Sequence, residues 1–401
     1  MYRQDQIANI IDNQRELFLQ KGNFVNREAL VQVPIVESFA TIITGIRRGG
    51  KSTLMHQLIN NKYPDAIFLN FEDIRLAGFD TSDFTRLYNE IVLRGIKILC
   101  FGELQLIKNW EMFVHQLLRE GYQVFVTGSN ASLLSRELGS HLTGRHLSLE
   151  LFPFSYNEFL TFKGLTRNPD SLQSYLIGGG MPEYVRSGEG KVLSHLIDDI
   201  LIRDISVRQS IRDIGVLRQL TVFLLTNVGN LISATKLSGM YGIKSVSTFL
   251  EYFSFLSDAY LIEFVQQFSY SLKSQARNPK KVYSMDTGFI SEVATLFTDN
   301  LGQRFENMVY LHLRRKFDKL YFFKGKGECD FVAQNREKVE ELVQVCYRID
   351  DMNFQREYSG LLEAMKFFKK TEGLIVTFDQ KDIFEKDGLT VRLVPANEYL
   401  V

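Results

Sequence analysis

The segment GIRRGGKST, residues 45–53, constrains the possible folds of this chain more than any other part of the sequence. Its first eight residues have the spacing Gly-x-x-x-x-Gly-Lys-Ser, in which glycines let backbone N–H groups fold around an anion without an obstructing Cβ. The apolar run FATIIT precedes the segment, and the amphipathic run STLMHQLIN follows it. A strand, a glycine-rich loop and a helix in this order predict a phosphate-binding loop, in which the N-terminus of the helix also attracts the anion.

The side chains of the loop indicate a nucleotide as the ligand. We expect Lys51 to contact the β- and γ-phosphates of ATP and the hydroxyl of Ser52 to ligate Mg²⁺. The alternative is a glycine-rich turn that matches the spacing by chance, and the flanking strand and helix disfavour it. The residues predicted to bind the nucleotide are Gly45, Ile46, Arg47, Arg48, Gly49, Gly50, Lys51, Ser52 and Thr53.

Short apolar runs alternate with amphipathic stretches over the first third of the chain. The apolar runs are FATIITG, AIFLNFED, IKILCFGEL, YQVFVTGS and HLSLELF, and the stretches between them are KSTLMHQLIN, DFTRLYNEIVLRG, WEMFVHQLLREG and SLLSRELGSHL. Strands that are apolar throughout and alternate with helices are typical of a parallel sheet covered on both faces. We therefore predict an α/β fold, with a P-loop NTPase core over residues 33–165 and a helical segment over residues 1–32.

Polar residues after two of the predicted strands are candidates for catalysis. P-loop enzymes use an Asp at a strand end to organise Mg²⁺ and a following Glu to polarise the attacking water. Glu103 is present, but Gly102 stands where the Asp is expected, so we expect Gly102→Asp to raise ATP turnover at least about tenfold. Asn130 is a candidate for contact with the γ-phosphate, and Arg145 for an arginine finger. A solvated carboxylate and a solvated cation are the alternatives for Glu103 and Arg145.

After Pro153 the pattern becomes mostly helical, and we predict a helical lid or linker over residues 166–228. Three short helical stretches and two short strands over residues 229–290 resemble a winged helix. A basic patch in this region suits the phosphates of duplex DNA, and it equally suits an ordinary solvated face. The cations of this patch are Lys236, Lys244, Lys273, Arg277, Lys280 and Lys281.

Charge and cysteine content bear on partners and location. Lys plus Arg and Asp plus Glu number 47 each, so the net charge is zero and any attraction to nucleic acid must be local. The three cysteines are far apart, which fits free thiols in a reducing compartment better than a disulfide framework or a zinc site. The first residues lack the apolar core of a signal peptide, and no run is long enough to span a membrane. We therefore expect a cytoplasmic protein without membrane association.

Five segments together resemble the bacterial and archaeal AAA-type ATPases of the archaeal-ATPase group, which is related to the STAND proteins. The segments are GIRRGGKS, FGELQ before Trp110, TGSN, LTGR and LFPFS. The resemblance covers nearly the whole chain and implies an AAA-like domain, a helical middle and a C-terminal domain of uncharacterised function. It also implies that Lys51, Ser52, Glu103, Asn130 and Arg145 correspond to functional residues of the group, which usually has Asp at the position of Gly102.

Residues 300–401 resemble the restriction-endonuclease-like fold. This resemblance implies metal-binding carboxylates followed by a Glu-x-Lys strand, but the sequence has Gln344-Val345-Cys346 where that strand is expected. Glutamine is a poor metal ligand by charge, and the lysine that would assist the attacking water is absent. We therefore expect a degenerate nuclease site that does not cleave DNA, formed by Glu306, Glu328, Asp330 and Gln344.

These observations lead to one main hypothesis and two rivals. The main hypothesis is an ATPase that binds Mg²⁺ and converts ATP to ADP and phosphate. Its conformation changes with its nucleotide state, and it acts on or near DNA. The first rival is an ATP-gated binding module with little hydrolysis, which Gly102 favours. The second is an ATP-dependent nuclease, which Gln344 and Cys346 disfavour. A protein partner and the oligomeric state stay open.

Overall fold

The computed structural model describes residues 2–20, 25–130, 144–211, 213–243, 245–293 and 301–401. The chain divides into two compact units. The first consists of Met1–Phe152 and Asp258–Tyr260, and the second of Pro153–Ser257 and Leu261–Val401. The first unit thus contains the predicted N-terminal segment together with most of the predicted ATPase core. Within the described ranges, no helix combines the length and apolar character that crossing a bilayer requires.

A parallel five-stranded sheet forms the centre of the first unit. Its strands are β1 (Ala40–Thr44), β2 (Ile67–Asn70), β3 (Ile98–Gly102), β4 (Gln123–Thr127) and β5 (His146–Glu150), in the order β2-β3-β4-β1-β5. All four neighbouring pairs are parallel, as predicted from the apolar runs. Because β4 lies between β1 and β3, the strand that precedes Glu103 is not directly adjacent to the strand that precedes the loop.

Helices cover both faces of this sheet. They are α1 (Gln4–Leu19), α2 (Lys51–Lys62), α3 (Phe84–Arg94) and α4 (Trp110–Arg119), with 3₁₀ turns at Glu28–Gln32, Ile74–Leu76, Thr81–Asp83 and Leu104–Leu106. Ile7 and Ile11 of α1 are buried in one apolar cluster with Phe101 of β3. Leu54 of α2 belongs to a second cluster with Phe125 of β4. The predicted helix SLLSRELGSHL falls within residues 131–143, outside the described residues.

The second unit contains a mixed nine-stranded sheet in the order β13-β14-β12-β11-β10-β9-β7-β8-β6. Its strands are β6 (Leu231–Ile232), β7 (Ile262–Gln267), β8 (Lys280–Ser284), β9 (Lys319–Lys324), β10 (Glu328–Asn335), β11 (Lys338–Val345), β12 (Glu372–Thr377), β13 (Asp382–Lys386) and β14 (Leu389–Pro395). β7 pairs in parallel with β9 through Gln266 and Tyr321. Strands predicted for the winged helix and for the C-terminal domain therefore belong to one sheet.

Some helices of the second unit precede its strands in the sequence, and the others alternate with them. They are α5 (Tyr156–Lys163), α6 (Pro169–Gly178), α7 (Pro182–Ser187), α8 (Lys191–Asp199), α9 (Val207–Gln209), α10 (Ile214–Thr226), α11 (Ala234–Leu237), α12 (Val246–Asp258), α13 (Leu272–Arg277), α14 (Thr287–Val293), α15 (Leu301–Lys316), α16 (Phe354–Phe368) and α17 (Ala396–Tyr399). A π-helical segment, Ile200–Ser206, joins α8 to α9, and a 3₁₀ turn occurs at Met240–Gly242. The predicted helical character after Pro153 is present.

Candidate functional site

The loop between β1 and α2 has a backbone that requires glycine at two positions. Gly45 and Gly50 have φ values of 139° and 100°, which L side chains rarely adopt. A Cβ on Gly45 would also overlap the carbonyl oxygen of Leu151, which follows β5. Helix α2 begins at Lys51, so the unpaired N–H groups of its first turn are at the end of the loop. An anion is the ligand that such a loop and helix terminus suit.

The two reactive side chains predicted in the loop are neighbours at the start of α2. Lys51 is 6% exposed, and its ammonium donates to the backbone carbonyls of Gly45 and Ile46, at 3.0 and 2.9 Å. Ser52, the next residue, is exposed. A cation and a hydroxyl therefore come from consecutive residues at a helix N-terminus, which suits a phosphate with a bound divalent metal.

Arg27 is a loop-supporting residue that sequence reasoning missed. Its guanidinium is buried and donates to the carbonyls of Gly49 (2.8 Å) and Phe152 (2.6 Å). A Cβ on Gly50 would overlap the same guanidinium. The backbone N–H of Arg27 donates to Gln57 of α2, at 2.9 Å. Arg27 therefore ties the N-terminal segment to the loop and to the helix that follows it.

Three polar residues, Glu103, Ser129 and Asn130, follow the carboxyl ends of β3 and β4. Glu103 follows β3 in the left-handed conformation (φ 50°), and its N–H donates to the carbonyl of Thr127, at 2.9 Å. The Ser129 hydroxyl lies 3.5 Å from Oε2 of Glu103. Asn130, 3% exposed, comes next in the chain after β4. Since parallel strands end at one edge of the sheet, Glu103 and Asn130 lie at the edge from which the phosphate loop also departs.

Asn70 fills the space beside Gly102. The two residues are opposite each other at the ends of β2 and β3. A Cβ on Gly102 would lie 2.8 Å from Oδ1, 3.1 Å from Cγ and 3.2 Å from Cβ of Asn70. Gln14 of α1 holds Asn70 in place, because its side chain accepts from the Asn70 N–H at 2.6 Å and donates to the Asn70 carbonyl at 3.1 Å. An amide thus occupies the region that a carboxylate at position 102 would need.

Two further carboxylates follow β2, and each has a cationic partner. Arg75 donates to Asp73 at 2.7 Å and, with the neighbouring backbone and Gln14, lowers the pKa of Asp73 to about 2. Glu72 lies 3.3 Å from the guanidinium of Arg47 in the phosphate loop. Asp73 is therefore an ionised partner of Arg75, and Glu72 links the end of β2 to the loop.

Arg145 lies at the opposite edge of the sheet from the phosphate loop. β5 runs parallel to β1, with His146 opposite Ala40 and Glu150 opposite Thr44. Arg145 precedes β5 and is exposed, and its carbonyl accepts from the Ala40 N–H at 3.1 Å. Five strand residues, roughly 16 Å, separate the two edges. The structure therefore does not bring the predicted finger to the phosphate loop of its own chain.

The predicted nuclease-like residues form a second cluster, in the second unit, around Lys281. The Lys281 ammonium lies 2.7 Å from Asp330, 2.8 Å from Glu328 and 3.1 Å from Glu306. The side-chain oxygen of Gln344 accepts from the Asp330 N–H, at 3.1 Å. Burial acts to lower the pKa of Lys281, but the carboxylates outweigh it and raise that pKa well above its usual value. The centre of the cluster is thus filled by an internal ammonium.

This position corrects the prediction that Lys281 belongs to a surface patch. Lys281 is 3% exposed and ion-paired, so it is unavailable to DNA phosphates. Lys236, Lys273 and Arg277 are exposed, Lys280 is half-buried, and Lys244 lies outside the described residues. Across the ranges that the structure describes, no three His, Cys, Asp or Glu side chains are placed to hold a metal ion.

Comparisons with known proteins agree with the loop geometry. Residues 37–160 match a family model described as an AAA domain, and residues 169–300 match a domain of unknown function, DUF8612. A chain from the structure of C. elegans PCH-2 is 12% identical and covers 64% of this chain and 67% of its own length. Its TM-score is 0.26, and a likeness this weak carries no argument.

Two relatives cover most of the chain. An uncharacterized protein of Haemophilus influenzae is 29% identical over an alignment of 364 positions, which covers 83% of this chain and 91% of that protein. The uncharacterized protein MJ1544 of Methanocaldococcus jannaschii is 32% identical over an alignment of 410 positions, which covers 94% of this chain and 89% of that protein. The chain belongs to the family that includes MJ1544, and it carries an AAA domain, which implies nucleotide binding, over residues 37–160.

Proposed function

We propose that the chain is an AAA-type ATPase that binds ATP with Mg²⁺ and hydrolyses it to ADP and phosphate. The observation that carries this proposal is the loop between β1 and α2. The loop contains glycines with positive φ, and Lys51 and Ser52 begin the helix that follows it. The AAA domain over residues 37–160 supports the same ligand class.

Each group at the site has a role in this proposal. The backbone N–H groups of the loop and Lys51 bind the phosphates. Ser52 would hold Mg²⁺, which would neutralise charge on the phosphate oxygens. Glu103 accepts a proton from the water that attacks the γ-phosphorus, while the bond to the ADP oxygen breaks. Asn130 contacts the γ-phosphate from the end of β4.

The alternative is an ATP-gated binding module with little hydrolysis. Gly102 supports this alternative, because glycine has no side chain to order the waters around Mg²⁺. In both versions we propose that nucleotide binding changes the conformation of the chain. Measuring ATP turnover separates the two versions, since only the first consumes ATP.

Further proposals concern the folds within the second unit, its ligand and the location of the protein in the cell. We propose that residues 229–290 form a winged helix whose exposed Lys236, Lys273 and Arg277 contact duplex DNA. We propose that residues 300–401 have a restriction-endonuclease-like fold without cleavage, because the Lys281 ammonium fills the acidic cluster. A cytoplasmic location completes the proposal.

A thermal-shift experiment tests nucleotide binding. Mg²⁺-ATP at a hundred times its Kd should stabilise the wild-type fold by about 2.7 kcal/mol, which raises the unfolding temperature of a domain of this size by about 5–11 °C. Lys51→Ala should lose this shift, because the ammonium that pairs with the phosphates is gone. Lys62→Ala, an exposed lysine at the other end of α2, is the matched control and should keep it. An undiminished shift in Lys51→Ala would mean that ATP binds elsewhere.

A further inference from the structure

Gln105 is a buried polar residue beside Glu103 that none of the assignments above uses. It lies in the 3₁₀ turn Leu104–Leu106 and is 9% exposed. Its Nε2 donates to Oε2 of Glu103 at 2.6 Å. A carboxylate can only accept hydrogen bonds, so the amide nitrogen must be the end that faces Glu103, and the amide oxygen faces elsewhere.

The amide oxygen of Gln105 has no hydrogen-bond donor among the described residues, although solvent does not reach it. Native proteins seldom leave a buried acceptor in this condition, and such an atom indicates a ligand or an ordered water. Gly128, which follows β4, lies against the same amide. A Cβ on Gly128 would be 3.0 Å from Oε1 and 3.1 Å from Nε2 of Gln105, so glycine at this position lets the amide pack closely against the end of β4.

The chemistry of the partner follows from the two acceptors. A nucleotide phosphate offers only acceptor oxygens at neutral pH, so it cannot satisfy Oε1 of Gln105. A water molecule has two O–H donors. It can donate one to the Glu103 carboxylate and the other to Gln105 and still present an oxygen lone pair to phosphorus.

We propose that Gln105 is a catalytic residue of the ATPase, with its two amide ends in different roles. The N–H end orients the Glu103 carboxylate. The C=O end, which solvent does not reach in this structure, accepts a hydrogen bond from the attacking water once ATP binding opens the space beside it. In the reaction the water oxygen bonds to the γ-phosphorus, the bridging bond breaks with its electron pair on ADP, and the water proton passes to Glu103. This inference rests on the proposed ATP hydrolysis.

The test compares two substitutions of Gln105 by steady-state ATP turnover over a range of pH. Gln105→Leu removes both amide contacts at similar size, and Gln105→Glu replaces the N–H donor with an acceptor. Both should lower kcat at least about tenfold, with KM for ATP changed less than about twofold because neither touches the phosphates. Losing the donor disfavours the charged form of Glu103, which raises its pKa. The acidic limb of the kcat profile should therefore move to higher pH, further in Gln105→Glu, where a second carboxylate adds repulsion.

Leu106→Ala is the matched control, since Leu106 is exposed in the same turn, and it should behave as the wild type. The proposal is overturned if Gln105→Leu keeps both kcat and the position of the acidic limb. It is also overturned if only the Mg²⁺ concentration for half-maximal rate changes, because Oε1 would then be a metal ligand. A wild-type chain with the ATP-induced thermal shift but no turnover overturns the role of Gln105 and leaves nucleotide binding standing. Absence of that shift overturns the proposed function itself.

Discussion

At the scale of single residues, Gly102 and Asn70 act as a pair across β2 and β3. The sequence alone predicts that Gly102→Asp raises ATP turnover, because an Asp would order the waters around Mg²⁺. The structure adds a steric condition, since the new Cβ would lie within 2.8–3.2 Å of three Asn70 side-chain atoms. Overpacking of this kind typically destabilises a fold by about 1–3 kcal/mol. The carboxylate therefore needs room as well as a position.

The prediction is that the double variant Asn70→Ala/Gly102→Asp exceeds the single Gly102→Asp variant in turnover. We expect the double variant to hydrolyse ATP at least about tenfold faster than wild type, with nearly unchanged affinity. The single variant should unfold at lower temperature and gain less. Asn70→Ala alone supplies no carboxylate and should gain nothing. Equal rates and unfolding temperatures for the single and double variants would show that Asn70 does not restrict position 102.

Whether a site is predictable from the sequence depends on how far apart in the sequence its contacting residues are. The loop residues are contiguous, so their spacing alone predicts the phosphate site, and Glu103 follows from its place after an apolar run. Arg27 and Asn70 leave no such pattern. Arg27 contacts Gly49 across 22 residues, and Asn70 is opposite Gly102 only because β2 and β3 pair in that register. Contacts of this kind depend on tertiary structure and not on local spacing.

At the scale of elements, β8 shows why two adjacent lysines have different environments. Successive side chains of a strand point to opposite faces of the sheet. Lys280 is accordingly half-buried at a surface, whereas Lys281 lies among Glu306, Glu328 and Asp330. A patch that contains both residues ignores this alternation. The sequence predicted two short strands over residues 229–290, but the pairing of β7 with β9 joins segments far apart in sequence and had no local signal.

Lys281→Met should therefore destabilise the second unit strongly. Removing one partner from a buried ion-pair cluster leaves uncompensated charge and typically costs about 3–5 kcal/mol. Lys280→Met, on the next residue of the same strand, should change stability by no more than about 0.5 kcal/mol. Urea unfolding followed by far-UV circular dichroism measures the free energy of unfolding of both variants. If the two variants were equally stable, the carboxylates would not depend on the ammonium.

At the scale of the whole molecule, the position of Arg145 bears on assembly. One copy of the chain has its phosphate loop at the carboxyl edge of the parallel sheet and Arg145 at the amino edge. The arginine can then reach a nucleotide only if that nucleotide is bound to a second copy. The formal net charge of zero means that no long-range repulsion opposes association of copies.

A mixing experiment tests this role. If Arg145 acts between copies, Arg145→Ala should lose turnover by roughly 10³-fold, the lower end of the range for an arginine finger. Lys51→Ala should also be inactive, because it cannot hold the phosphates. Mixing the two should restore turnover, since the Arg145→Ala copy keeps an intact phosphate loop and the Lys51→Ala copy supplies the arginine. The double variant Lys51→Ala/Arg145→Ala, mixed with Arg145→Ala, has no arginine to supply and should restore nothing. Full activity of Arg145→Ala alone would identify Arg145 as a solvated cation, and two inactive variants without recovery on mixing would rule out its action between copies.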